Sequence, residues 1–422
     1  MGEFWGFIKD PLYGYIQITE AEKNIIDTYP FQRLRRIKQL SGSEFVYPAA
    51  NHTRFEHSLG TMYLAGILGE SLPVELERDE IQLLKFAALL HDVGHGPFSH
   101  VFDSYLTKYL NRTHEDMTNI IIKETELGDA LEREGFDPKS VGRLASGSLK
   151  DPGKPYLDQV IVGAVDVDKM DFISRDSYHT GAGYGYTDIF RLIYTMDIHG
   201  GELMVNATAI PTLETFLIAR LESFKTIYFH KASRAVQIML VKALESARGE
   251  VSSLNFKTSE EYLKLDDYVL WSALRSSETA RPIMEDLERR RLLKCAYEIT
   301  LYTKDRLVTS IFANEAVRRR VEEEIADTAS VDPDYVTIDI PSLPSVPYSR
   351  ETAEPMDIPV SFKSTDGFIE VRRVTEISRI IEVLRVYMNI LRVYTREEYR
   401  SKVRKASEEV LGTLPSETKI AY

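Results

Sequence analysis

A single cysteine, Cys295, stands in 422 residues, so no intramolecular disulfide framework exists in this chain. That favours a reducing, cytoplasmic setting. Set in LLKCAYEI, the thiol reads as a small buried apolar group rather than a nucleophile. No apolar stretch approaches the roughly 20 residues a membrane span needs, and the opening MGEFWGFIKD lacks the basic and apolar regions of a secretory leader. Secretion and membrane insertion are not expected. Positive charge is short too: 52 Lys and Arg against 65 Asp and Glu leave −13, which gives a nucleic-acid backbone no general attraction. Nucleic acid is not an expected partner, and an anionic ligand needs a local basic pocket. What the chain has in quantity is apolar matter, 43% of its residues, enough for a sizeable core and two to three lobes.

Helical spacing with few breakers fills residues 20–125, through AEKNIIDTYPFQRLRRIKQL, TRFEHSLGTMYLAGILGESL and DEIQLLKFAALLHDVG. A looser stretch, GFDPKSVGRLASGSLKDPGKPY, gives way to a helix through VGAVDVDKMDFISRDSY, which the glycines of TGAGYGY end. After Pro211 the chain runs to Arg248 without Pro or Gly, and 211–248 predicts one extended helix; further helices are expected at 258–276 and 307–326. Then the texture changes. DYVTIDI, IPVSF and NILRVYT read as short strands, the first two separated by the Pro-rich PSLPSVPYSRETAEP, and REEYRSKVRKASEEVL reads as a charged terminal helix.

The densest chemistry is HDVGHGPFSH, residues 91–100. The preceding IQLLKFAALL is apolar around most of a helical circumference, so His91 and Asp92 emerge from a buried helix. A buried imidazole beside a buried carboxylate must find a proton partner or a cation, because an unpaired charge is costly to desolvate. Six of the nine histidines, at 52, 57, 91, 95, 100 and 114, lie in the first 114 residues, which favours a shared site. In TRFEHSLG, Arg54 and His57 are three apart and present to one side of a predicted helix, a cation for phosphate beside a ligand for metal. The plainer alternative is a solvated arginine and a core histidine. In DVDKMDFISRD, Asp168, Lys169, Phe172 and Asp176 fall within an arc of about 100° on a helical wheel; the alternative there is a solvated acidic helix end.

Together these pieces resemble the HD superfamily of metal-dependent phosphohydrolases, whose signature is a His, then a His-Asp pair, then a distant Asp. The matching ligands are His57, His91, Asp92 and Asp168. The resemblance implies one divalent metal per site; two imidazoles and two carboxylates suit Mn, Fe, Zn, Ni or Mg. Such a metal would hold and acidify a water and polarise a phosphoryl oxygen. QRLRRIKQL, VYPAANHTRFEHSLG, HDVGHGPFSH and DVDKMDF are more closely similar to the HD-type deoxynucleoside triphosphate triphosphohydrolases, whose vertebrate members carry a sterile-alpha-motif. The similarity is dense from Asp10 to Thr125, returns at 157–188 and 220–231, and thins in the C-terminal third.

Carried over by position, the resemblance implies that Arg54, His95, His100 and His114 face the reacting phosphate, with His100 as general acid on the leaving 5′ oxygen and Asp103 tuning it. An imidazole suits that task because its ordinary pKa lies near neutrality. For His95 and His100 the competing reading is capping or loop hydrogen bonding. Thr113 predicts a helix start that would place His114 at an anion-binding end. Lys169 and Arg220 would add phosphate contacts, and Gln39, Leu40, Phe172, Asp176 and Tyr228 would line the sugar and base, where the resemblance implies contact with the 3′-hydroxyl. On the predicted long helix Arg220, Phe224, Tyr228 and Lys231 share a face, with core packing preferred for Phe224.

Departures from the family pattern concern the sugar and the regulation. Phe172 stands where the vertebrate members have Tyr, beside the sugar's 2′ side, and Phe229 where they have Gln, so deoxy-over-ribo selection rests on a ring without its hydroxyl. Asp27, Gln32 and Arg35 match a regulatory nucleotide site, but the lysine expected ahead of Lys9-Asp10-Pro11 is Gly6. The expectation is a mainly α protein: an HD-domain helical core (1–250) and a smaller C-terminal helical and α/β lobe (251–422). It hydrolyses a nucleoside triphosphate to nucleoside and inorganic triphosphate, as a homodimer or homotetramer that takes an activating nucleotide. The rivals are a phosphomonoesterase or phosphodiesterase on another nucleotide, and a nucleotide-sensing or nucleic-acid-binding module with a structural metal site.

Overall fold

The computed structural model describes residues 3–303, 312, 314–344, 358–364, 367–384 and 387–412. Its centre is helical. The helix Arg54–Ser71 packs against Arg78–Leu90 and against Val167–Thr180. Capping boxes start the first two, and Gly181 at φ 75° ends the third, where the glycine cluster predicts a stop. The side chains of Leu84, Phe86 and Leu89 from IQLLKFAALL are fully buried in one apolar cluster that runs from Ile16 to Tyr394. The helices His100–Leu110 and His114–Glu124 follow, the second capped by Thr113, whose hydroxyl accepts from the Asp116 amide at 3.2 Å.

The helix expected over 211–248 is two helices. Ile210–Ser223 passes into a π-turn at Phe224–Tyr228, closed by Phe229 N–H donating to the Phe224 carbonyl, and a second helix, Lys231–Ser246, restarts behind His230 as N-cap. No residue type there breaks the periodicity; the break comes from tertiary packing, in which Phe229 turns into an apolar cluster with Leu221, Met388 and Ile390. Lys231 therefore does not continue the face of Arg220, Phe224 and Tyr228. The helix expected at 258–276 likewise divides into Ser259–Leu263 and Asp267–Ser276. Of the helix expected at 307–326, residues 307–311 and 313 lie outside the described residues, and Glu315–Ala329 is helical.

Strands are more numerous than the sequence patterns suggest. A hairpin, β1 (Phe4–Asp10) and β2 (Gly14–Thr19), precedes the helices, and β3 (Met196–His199) pairs with β4 (Glu202–Asn206). β5 (Lys294–Thr303), β6 (Thr337–Asp339), β7 (Ser342–Pro344), β8 (Pro359–Lys363), β9 (Ile369–Arg373) and β10 (Tyr387–Thr395) lie in the C-terminal part. The order β5-β10-β6, with β7 also on β10, forms one sheet, backed by Glu315–Ala329 and the terminal helix Arg400–Leu411. β8 runs parallel to β4, giving the order β3-β4-β8-β9 and tying the C-terminal part to the helical core. Residues 251–292 stay with that core, and a second apolar cluster begins at Ala296. Cys295 lies at the division, and burial pushes its thiol up to about 11. No described helix is long and apolar enough to cross a membrane.

Candidate active site

Four donor side chains from three elements converge at the centre of the helical core. His57 comes from the second turn of Arg54–Ser71, His91 and Asp92 from the end of Arg78–Leu90, and Asp168 from the first turn of Val167–Thr180. His57 Nε2 lies 3.3 Å from His91 Nε2, 3.2 Å from Asp168 Oδ1 and 3.6 Å from Asp92 Oδ2; His91 Nε2 lies 3.4 Å from Asp92 Oδ1 and 3.6 Å from Asp168 Oδ1. Ligands around one ion at bond lengths near ~2.1 Å sit about this far apart. The opposite ring atoms are engaged: His57 Nδ1–H donates to Asp171 Oδ2 and His91 Nδ1–H to the Ala88 carbonyl, both at 2.7 Å. Both Nε2 atoms are thereby turned inward as donors to a cation. The set fits a divalent metal.

The electrostatics agree. Burial opposes a charged His57, but Asp168 and Asp171 outweigh it and raise the ring to about 10. Burial likewise raises Asp92 and Asp168, yet Arg54 with His91 holds the first carboxylate, and His57 with His91 the second, well below the usual range. These shifts mark a place that favours a positive charge, as a metal ion would supply. Asp171 is set by Arg175, which donates from Nε and Nη2 and also reaches Asp10, and by the Tyr13 hydroxyl at 2.8 Å. Asp171 is three residues past Asp168, and that spacing on the predicted helix was its only sequence signal.

Gly60 lets this support approach. A Cβ there would fall 2.0 Å from Asp171 Oδ1 and 2.4 Å from Arg175 Nη2, in the buried middle of the helix. Gly60→Ala must displace the carboxylate that orients His57, and loss of such outer support typically weakens metal affinity about 10- to 100-fold. Metal titration of the folded variant is the check; an affinity equal to wild type would show that Asp171 does not orient the ligand.

A second histidine group abuts the first. His95 Nε2 lies 3.3 Å from Asp92 Oδ1, and its ring stacks on His114 with centroids 3.9 Å apart and planes 16° apart. No single ion can lie in the plane of both rings, so this stacking favours proton and anion chemistry over a second metal. Burial, with Arg54 and His114 nearby, holds His95 well below its ordinary pKa and keeps it neutral. Asp103 Oδ2 accepts from His100 Nδ1 at 2.9 Å and from His114 Nδ1 at 3.0 Å; burial opposes its charge, but those two contacts keep it strongly acidic. The acceptor fixes the proton on Nδ1 of His100 and leaves Nε2 as the exchanging atom, on a side chain 72% exposed.

The loop between the groups is strained. Phe98 and Ser99 have φ of 60° and 52°, unfavourable for side-chain-bearing residues and found where structure over-determines the backbone. Arg54 Nε donates to Ser99 Oγ at 2.7 Å while its Nη1 donates to Asp92, so one buried guanidinium spans the metal ligand and the base of the His100 helix.

Most of the remaining sequence candidates gather at one further end. Asp176 is buried and accepts from His52 Nε2 at 2.7 Å and from the Tyr228 hydroxyl. Tyr228 meets Leu40 in a small apolar cluster, Phe172 at 6.2 Å and Phe224 at 4.6 Å, and Arg220 lies over Phe224. Phe224 packs as the sequence reading prefers. Gln39 is placed by its backbone N–H, which donates to the His52 carbonyl at 3.0 Å. Lys169 is paired with buried Asp166 at 2.5 Å. Burial lowers Arg220 to about 10. Asp27, Gln32 and Arg35 stand apart on the surface, with Arg35 Nε donating to Gln32 Oε1 at 2.8 Å. His52 and Ser99 carried no role in the sequence reading, although His52 belongs to the N-terminal histidine cluster.

Comparisons with known proteins identify the family. Residues 54–176 match the HD domain model and residues 187–421 the HD associated region. The chain is 28% identical to the uncharacterised protein YwfO of Bacillus subtilis over 401 residues, 89% of this chain and 88% of that one. It is 32% identical over 337 residues to the deoxynucleoside triphosphate triphosphohydrolase SAMHD1 of Gallus gallus, 68% of this chain but 55% of that longer protein. The crystal structure of a hypothetical protein from Aquifex aeolicus superposes with a TM-score of 0.77 at 31% identity, covering 96% of this chain and 99% of its own.

Proposed function

The chain belongs to the HD-domain family of metal-dependent phosphohydrolases, and from that premise we propose that it hydrolyses nucleoside triphosphates, deoxynucleotides foremost, to nucleoside and inorganic triphosphate. The observation that carries the reading is the junction at Asp92. This one carboxylate touches the metal-type cluster on one side and His95 on the other, next to an Asp103-held His100. A metal held by His57, His91, Asp92 and Asp168 would supply Lewis acidity toward water and phosphoryl oxygen.

The chain's own residues do the rest. Arg54, neutral His95 and His114 bind the reacting phosphate, and Lys169 and Arg220 the outer ones, Lys169 by exchanging Asp166 for phosphate. His100 holds a proton on Nε2 and gives it to the 5′ oxygen as that oxygen leaves the α-phosphorus; a water oxygen takes its place there, and the proton that water loses passes to solvent. Leu40, Phe172 and Tyr228 form the apolar wall for base and sugar, and Gln39 and Asp176 are within the same end of the site to meet sugar hydroxyls. Similarity to proteins whose names state this reaction supports the assignment.

A panel of the eight common nucleoside and deoxynucleoside triphosphates tests it, assayed with several divalent metals, with and without GTP, and with products resolved. Triphosphate and nucleoside are expected in equal amounts. Release of phosphate or diphosphate instead would assign the site to a phosphomonoesterase or phosphodiesterase, and salt-sensitive nucleic-acid binding without turnover would make it a binding module. Assembly as a homodimer or homotetramer, with an activating nucleotide at Asp27, Gln32 and Arg35, belongs to the same reading and is checked by light scattering with added GTP.

A further inference from the structure

His52 is the one buried histidine of the N-terminal cluster that touches neither the metal-type ligands nor the phosphate end. Its side chain is fully enclosed, its Nε2 lies 2.7 Å from Asp176 Oδ1, and its Nδ1 is buried without a hydrogen-bond partner. Its ring is stacked on His179, centroids 4.4 Å and planes 15° apart, and His179 in turn lies 3.6 Å from Glu56 Oε2. Glu56 closes the capping box of the helix that carries Arg54 and His57, accepting from the Thr53 amide at 2.9 Å. The same His52 accepts on its backbone carbonyl from the Gln39 amide. One residue therefore fixes Asp176 through its ring and Gln39 through its backbone, and is itself held by the helix that bears the phosphate and metal groups.

The chemistry of the contact is directional. A buried ring nitrogen with no partner is tolerable as a bare lone pair and costly as an N–H, so the proton belongs on Nε2, facing the carboxylate. Asp176 then receives one donor on each oxygen, from His52 and from Tyr228. Carboxylate oxygens have further lone pairs, so a carboxylate pinned from both sides presents acceptor capacity and no donor. It fits a ligand that brings an O–H.

We propose that His52 is a positioning residue for sugar recognition: by donating from Nε2 it orients Asp176, the carboxylate for which the family resemblance already implies contact with the sugar 3′-hydroxyl, as the hydrogen-bond acceptor for that group. This rests on the nucleotide reading above. A site built to pair a hydroxyl discriminates strongly against the analogue lacking it, because its own polar groups are then left unpaired.

The test compares turnover of a deoxynucleoside triphosphate with that of its 3′-deoxy analogue in wild type, His52→Leu and His52→Gln, with bound metal measured in each. The preference, as a ratio of kcat/KM values, is expected to fall about tenfold or more in His52→Leu, which has no donor, and to be largely restored in His52→Gln, which keeps an N–H. An unchanged ratio in His52→Leu overturns the proposal, and so does an equal loss in both variants, which would assign the effect to ring shape. Nitrogen-15 shifts of the wild-type ring decide independently of whether the variants fold: a proton on Nε2 is expected, and one on Nδ1 refutes the orientation. A wild-type chain that releases no triphosphate from any nucleotide defeats the function instead, while the tautomer still decides what His52 does to Asp176.

Discussion

Replacing His91 and Asp92 together with alanine is expected to give a chain without bound metal and without measurable triphosphate release. Asp92 is the critical member, because it contacts Arg54, His57, His91 and His95 at once. Removing a buried partner of a buried arginine is itself destabilising by about 3–5 kcal/mol, so the double substitution is read beside His91→Ala alone, which leaves the Arg54 contact in place. Both should lose metal; only the double variant should also melt at a markedly lower temperature. A metal-free variant with undiminished hydrolysis would sink the mechanism. The metal-free site also sets a pH dependence. With His57 raised to about 10, the ring is protonated at neutral pH, and a metal must displace that proton. Apparent affinity should therefore rise with pH by roughly tenfold per unit up to that value and fall as the solution is acidified. Metal content after equilibration at pH 6, 7 and 8 checks the sign.

His100→Gln is expected to keep its metal and lose about 10²- to 10⁴-fold in kcat, the usual contribution of one positioned proton donor. The side chain is largely exposed and meets His95 and His114 only edge-on, so stability should change little. Asp103→Asn offers the companion reading. It removes the charge that two imidazoles share and frees Nδ1 of His100 and His114 from a fixed orientation, so kcat should fall while KM moves less. A His100→Gln enzyme with wild-type kcat would remove His100 from the chemistry and leave His114 as the next donor to test.

Much of the site was legible in the sequence where its parts are local. HDVGHGPFSH supplies two donors of the metal-type cluster and the two rings beside them in ten residues, and the wheel through 166–176 brings Asp168 and Asp176 to one face of the helix Val167–Thr180. What supports those groups was legible only in part: Arg175 follows Asp171 by four residues on one helix, whereas Tyr13 and Ser99 reach the site through tertiary packing. In the hairpin β1–β2 only the second strand alternates: YIQIT buries Ile16 and Ile18, and period-two counting would have found it, whereas FWGFIKD runs apolar without alternation and leaves Phe4, Trp5 and Phe7 exposed. The interruption at Phe224–His230 leaves no such trace: every residue from 211 to 248 tolerates a helix, and the packing of Phe229 decides.

The strained loop at Phe98 and Ser99 is held from a distance along the chain. Asp267 Oδ1 accepts the Phe98 amide at 2.7 Å, and the Tyr262 hydroxyl donates to the Gly94 carbonyl at 2.7 Å. Buried Arg33 joins the Leu265 and His95 carbonyls. A random-mutagenesis screen scored by activity would accordingly flag Tyr262 and Asp267 beside the histidines, although neither is a ligand or a proton donor. A fragment cut at residue 250 would retain the signature residues and lose the clamp that shapes them. Motif and architecture thus partition this polypeptide differently: the HD match ends at residue 176, whereas the loop inside it is held by side chains from both sides of that stretch.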